Sequence, residues 1–276
     1  MALNSVNTNT GALVALQNLQ ATNAELSTVQ NRINTGKSVA SARDNGAIWA
    51  IAQGQRAQYA SLNAVKTSVQ RGQSASDVAI AAGESVSDLL IQLKEKALAA
   101  KDTSLNTAAR NALNEDFKSI RDQIAKTVTN ADFNGTNLLK SGATAFKALA
   151  NADGSSVLTV RAEVLALSGA NVTVTTTDVI DTVTKATAVL TKVDASIANV
   201  SASLARLGTA SKSLETHLGF VSKLQDALET GIGNLVDADL AKESARLQAL
   251  QTKQQLGVQA LSIANSSTSV LLGLFR

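Results

Sequence analysis

Histidine occurs once, at His217, and cysteine not at all. That excludes disulfides, thiolate metal sites, cysteine nucleophiles and relays needing two imidazoles. His217 is left as either a lone base or a solvent-facing polar residue. Its place outside both heptad series described below favours the second reading. The stretch His217-Leu218-Gly219-Phe220 is no H-E-x-x-H zinc motif. Neither a G-x-S-x-G elbow nor a Gly-rich phosphate loop occurs. No catalytic residue, metal site or cofactor is therefore predicted. The 25 basic and 22 acidic residues are mixed throughout, giving +3 without any Lys/Arg block, so no nucleic-acid partner is expected.

What must position these side chains is helix. Two series seven residues apart run along one stretch: Leu190, Ile197, Leu204, Ser211, Leu218, Gln225, Ile232 and Val193, Val200, Leu207, Leu214, Val221, Leu228, Leu235. All but Ser211 and Gln225 are apolar, and a 3.5-residue spacing keeps one seam on a neighbouring helix. At 1.5 Å per residue such a helix is roughly 65–70 Å long. Proline is absent, so nothing is forced to break it. Aromatics make up only 3% of the chain, and small aliphatic side chains suit close helix–helix packing.

Other helical patterns run over residues 5–34, 48–100, 104–129 and 237–275. Gly72, Ser76 and Gly83 dilute the second one, which weakens the case for a single straight helix. Thr35-Gly36-Lys37, Asp44-Asn45-Gly46 and Asp132-Phe133-Asn134-Gly135 read as turns. The last of these explains the Asn134-Gly135-Thr136 sequon better than a glycan does. Between residues 141 and 177, Asn151-Ala152-Asp153-Gly154 separates short apolar stretches, and Val157–Val160 and Val172–Thr175 are rich in β-branched residues. A hairpin or small strand layer fits. Thr175 through Asp178 are expected to cap the start of the ladder helix.

The two ends share a second property. Residues 1–24 carry no charged side chain, and none appears between Lys253 and Arg276. In a homopolymer every charge recurs in each subunit, so uncharged polar ends avoid accumulated repulsion and desolvation. The missing positive n-region argues against a cleavable signal peptide and for another export route. Gln, Asn and Ser interrupt every candidate membrane span, so no membrane insertion is expected.

The ends also carry motifs. Arg32-Ile33-Asn34-Thr35-Gly36-Lys37, then Ser41-Ala42-Arg43-Asp44-Asn45-Gly46-Ala47 and Ala50-Ile51-Ala52, resembles the amino-terminal signature of bacterial flagellins. Val6-Asn7-Thr8-Asn9 is similar to that family's I-N-T-N opening, and Phe133–Leu139 to its F-N-G-x-x-L-L turn. Val236–Glu243 resembles its D-V-D-x-A-x-E, with Leu256-Gly257, Ala264-Asn265 and Val270–Leu272 in step. Ile48 and Trp49 depart from the family's usual Gly and Leu; Trp49 reads as a buried anchor.

The resemblance implies a mainly α fold, a long antiparallel helical rod or coiled-coil bundle formed by both chain ends with a small β-hairpin region in the middle. It divides the chain into 1–41 and 236–276, two halves of an inner coiled-coil domain; 42–140 and 178–235, a helical rod; and 141–177, the outward hairpin. Large outer domains are not expected. The implied function is that of a secreted, extracellular subunit polymerising into the flagellar filament for motility; a hook-associated junction protein is the nearer alternative, a helical signalling protein or an enzyme the more distant ones. Subunit-interface candidates are Leu16, Leu19, Leu26, Ile33, Leu240, Leu247, Leu250, Leu261 and Leu271. Implied partners are copies of the chain, similar flagellins, the flagellar export apparatus and its chaperone, and hook-associated and cap proteins. Thr173, Thr175, Thr176 and Thr177, with Ser155 and Ser156, lie where the family faces outward and is often O-glycosylated.

Overall fold

The computed structural model describes residues 8–273, with side chains through residue 266. The elements run α1 (Thr10–Thr35), α2 (Gly46–Ala100), α3 (Thr107–Asn130), β1 (Phe146–Leu149), β2 (Val157–Val160), α4 (Val183–Val236) and α5 (Leu240–Gly273). The fold is mainly α, as expected. It divides into two compact units, residues 58–226 and residues 1–57 with 227–276.

In the 58–226 unit the ladder of α4 finds its partners within the chain. Val193, Val200, Leu207, Leu214 and Val221 are fully buried, while Leu190, Ile197, Leu204 and Leu218 are half-buried beside them. One heptad series makes the centre of the seam and the other its margin. Leu62, Val65, Val69, Val86, Leu90 and Leu93 of α2, and Phe117, Ile124 and Val128 of α3, are buried as their spacing predicted.

The glycines do not interrupt α2, which is one helix of 55 residues. Their absent side chains make room instead. A Cβ on Gly72 would sit 2.8 Å from Phe146 Cε1, and one on Gly83 would sit 2.7 Å from Leu204 Cδ2. The buried Ser76 hydroxyl is satisfied by donating to the Gly72 carbonyl at 2.8 Å.

α3 is capped by Asn106, whose side chain accepts from Ala109 N. After it the chain makes the expected tight turn, Phe133 and Thr136 exchanging both backbone hydrogen bonds. Asn134 and Gly135 have φ of 51° and 81°, the pairing a type I′ turn requires. Asn137 then closes α3, donating to the Val128 carbonyl and accepting from Leu139 N and Lys140 N.

β1 and β2 pair antiparallel, Phe146 opposite Val160 and Leu149 opposite Val157. Val172–Thr175 is not a strand. It makes an isolated bridge, Val172 to Leu167, accepts from Ser168 N and Gly169 N at the Val174 and Val172 carbonyls, and fastens to α4: Thr173 N donates to Ser196 Oγ, and Thr173 Oγ1 to the Lys192 carbonyl. The cap expectation also fails. Thr175 N donates to Asp178 Oδ2 in a closed turn, and α4 starts later, with Thr182 accepting from Lys185 N and Ala186 N. A polar turn residue satisfies its nearest free amide, and here the nearest amide lies in its own loop.

His217 is not solvent-facing. It is half-buried, Nε2 lies 2.8 Å from the Ala150 carbonyl, and its ring is 5.8 Å from Phe220. It belongs to a row of side chains on α4 that hold the segment before them: Lys192 on Asp178, Asn199 on the Ala170 carbonyl, Arg206 on Glu163 and His217 on Ala150. The Arg206–Glu163 pair is two-pronged, at 2.9 and 2.6 Å, with the Glu163 side chain only 8% exposed. Burial works against the Asp178 carboxyl, yet the Lys192 ammonium and the Thr175 donors outweigh it and hold its pKa below the ordinary value.

Candidate functional site

The unit of residues 1–57 and 227–276 contains the two chain ends. Asn9 starts α1, its side-chain oxygen accepting from Ala12 N at 3.0 Å. The same amide donates from Nδ2 to the Ala264 carbonyl of α5 at 2.7 Å. Asn23 then meets Gln254 at 2.7 Å, Arg32 meets Glu243 at 3.1 Å, and Lys37 bridges Asp237. Each step forward along α1 is matched by a step back along α5, so the helices pair antiparallel. Gly257 lets them approach: a Cβ there would sit 3.3 Å from Leu19 Cδ1.

The base of this pair is the more tightly fastened end. α1 stops at Gly36, which takes a left-handed φ of 68°. The chain then ties to the junction of α4 and α5, Ser38 N and Val39 N donating to the Val236 carbonyl and Ala238 N to the Gly36 carbonyl. Val39, Ala52 and Val236 form a small core with Ile48, Trp49, Ile232 and Leu235 against it. Trp49 is thus a half-buried anchor. Asn45 caps α2, its Oδ1 accepting from Ile48 N. Asp44 accepts from Ser41 N, the Ser41 hydroxyl and Ala40 N; these bonds, and then the Arg32 charge, hold its pKa below the ordinary value.

Glu243 is 8% exposed and stands in the first turn of α5, where the helix dipole favours an anion. Oε1 takes the Arg32 guanidinium, while Oε2 is buried without a hydrogen-bond partner. Toward the tips burial thins out. Val29, Thr22 and Leu250 are buried, but no described side chain of residues 8–21 or 251–266 is.

The candidate interface residues fall into three groups. Leu250 is 5% exposed and already spent inside the unit. Leu19, Leu26, Ile33, Leu247 and Leu261 are half-buried. Leu16 and Leu240 are exposed. The side chain of Leu271 lies outside the described residues. Heptad reasoning missed Leu13, Val14, Leu256, Val258 and Ile263, all exposed on α1 or α5, Ile263 at 70%. The signal for them was the excess of apolar residues over what one seam needs.

The hydroxyl candidates also divide. Thr173 departs from the expected outward exposure, being half-buried with its hydroxyl engaged by α4. The Thr175 and Thr177 hydroxyls lie 3.2 Å apart. Thr176 and Thr177 are exposed, as are Ser155 and Ser156 in the hairpin turn. Among the described residues no helix is long and apolar enough to cross a membrane.

These features coincide with known proteins. The family profile for the bacterial flagellin N-terminal helical region matches residues 6–144, and that for the C-terminal helical region matches residues 190–275. Flagellin FljK of Caulobacter vibrioides is 60% identical over 276 residues, the whole of both chains. Flagellin FljM of the same organism is 59% identical over the whole of both, and its flagellin FljJ 47% identical over 100% of this chain and 99% of its own. A flagellin of Brucella melitensis is 36% identical over 99% of each chain. With both terminal profiles and full-length relatives in agreement, the chain belongs to the bacterial flagellin family, a structural family and not one of enzymes.

Proposed function

We propose that this flagellin builds the extracellular flagellar filament through the surface of its α1–α5 pair. One observation carries the reading: Leu13, Val14, Leu256, Val258 and Ile263 stay exposed on two helices that already pair with each other, along stretches where the pairing fully buries no described side chain. Burying a leucine or isoleucine contributes about 1.5–3 kcal/mol, a gain that a further copy of the chain supplies here. The uncharged stretches 1–24 and 254–275 suit contact with identical neighbours, because no like charges are brought together. Leu16, Leu240 and Leu261 add to this surface, whereas Leu250 acts inside the subunit.

Ile263→Asp tests the reading. Its side chain is largely in water in the single chain, so subunit stability should change by less than about 0.5 kcal/mol. Filament formation, followed by sedimentation and negative-stain microscopy, should fail. Normal filaments from this variant would remove the surface from consideration.

The finer partners follow from the same reading. The chain leaves the cell through the flagellar export apparatus with a chaperone. At the growing end it meets cap and hook-associated proteins, and similar flagellins share the filament with it. A junction role is the weaker reading, since the full-length relatives above are all flagellins. Any O-glycan belongs on Thr176 or Thr177 before Thr173, whose hydroxyl is occupied.

A further inference from the structure

We propose that Asn134 is a site of spontaneous deamidation, its side-chain amide attacked by the backbone nitrogen of Gly135. The chain contains two Asn-Gly pairs, Asn45-Gly46 and Asn134-Gly135. Glycine offers the least hindered nitrogen for such an attack, because no Cβ shields it. The fold treats the two pairs differently. At Asn45 the side-chain oxygen accepts from Ile48 N and the carbonyl from Trp49 N, and Gly46 is the first residue of α2. Both reacting groups are fixed by the helix start.

Asn134 is exposed, stands at φ 51° in a two-residue turn, and makes no side-chain hydrogen bond among the described residues. Its amide carbon is free to swing toward the next nitrogen. The Gly135 N–H donates to Asp132 Oδ1 at 2.8 Å, so a carboxylate lies at the proton that this nitrogen must lose. In the step, Gly135 N bonds to Asn134 Cγ and the Cγ–Nδ2 bond breaks. Ammonia leaves with the proton taken from Gly135 N. Water then opens the resulting succinimide at either carbonyl, leaving aspartate or isoaspartate at position 134 with no net oxidation. An isoaspartate adds a carbon to the main chain inside the turn that Phe133 and Thr136 close.

The test is peptide mapping by mass spectrometry, with isoaspartyl-methyltransferase labelling, on full-length chain aged in mildly alkaline buffer. A second sample in urea serves as the clock for unprotected Asn-Gly, and Asn134→Asp supplies the standard for the acid form. In the native sample the peptide containing Asn134 should convert while that containing Asn45 stays intact; in urea both should convert. A native Asn134 that stays intact while the urea sample converts would overturn the proposal. So would equal conversion at Asn45 and Asn134 in the folded chain.

Discussion

Replacing Arg32 with methionine should loosen the α1–α5 pair far more than the loss of a surface cation would. The Glu243 side chain is 11% exposed against 31% for Arg32, and the guanidinium reaches only Oε1. The second oxygen is buried without a donor. Arg32→Met therefore leaves a buried carboxylate with nothing opposite. Breaking one side of a buried pair costs about 3–5 kcal/mol. Because Arg32 itself is partly wet, water can enter its place, and we set the expectation at about 2–3 kcal/mol, below that range. In the monomer, amide hydrogen exchange in residues 24–34 and 240–250 should then speed up by roughly 30- to 140-fold, at tenfold per 1.4 kcal/mol. The double variant Arg32→Met with Glu243→Met removes both charges and fills the space, so it should exchange nearly as slowly as the parent. High salt should change these differences little, since the carboxylate is shielded from solvent ions. Additive effects of the two single changes in the double variant would refute the reasoning, because independent sites add and a coupled pair does not.

Four further outcomes are open to measurement. Leu261→Asp should abolish filaments seen by electron microscopy while residues 58–226 keep their protease resistance, as burial of a leucine worth about 1.5–3 kcal/mol is lost at each contact. Gln259→Lys should raise the subunit concentration needed for polymerisation, measured by sedimentation, with partial rescue by salt, whereas Thr176→Lys should assemble like the parent. Gly72→Ala gains about 1 kcal/mol of helix propensity but drives a methyl into the Phe146 ring, an overpacking cost of about 1–3 kcal/mol, so urea unfolding should show a net loss of about 1 kcal/mol. The Asp178 pKa lies below its unfolded value, so its contribution is present at neutral pH and fades as pH falls below about 4; Asp178→Asn should flatten that part of an acid-unfolding curve.

The helices and their buried faces were legible because periodicity is local and repeats. Val193 through Val221 declare a seam every seventh residue, and α4 buries that seam. The turn at Asn134-Gly135 was legible for the same local reason. What escaped depends on partners far away in sequence. Nothing near His217 points to the Ala150 carbonyl, 67 residues earlier, and Glu163 and Arg206 are 43 residues apart. The glycines of α2 read as helix breakers because Phe146 and Leu204, which need their missing side chains, come much later in the chain. At the ends, composition marked the uncharged tracts, but only the α1–α5 pairing separates the spent Leu250 from the unspent Ile263.

The hairpin turn has a use of its own. Between β1 and β2 the loop is closed by its own polar groups, Asn151 with Ser155 and Ser156 and Asp153 with Ser155, and residues 153–156 face water. The β1 side of its stem is anchored to two helices, Leu149 N donating to Ser68 Oγ of α2 and the Ala150 carbonyl meeting His217 of α4. A foreign peptide spliced between Asp153 and Gly154 would hang from a fixed stem without disturbing a buried group. Since one such turn accompanies every subunit, the graft would recur at the lattice spacing of the polymer, an ordered multivalent array whose density is set by the filament and not by the linker.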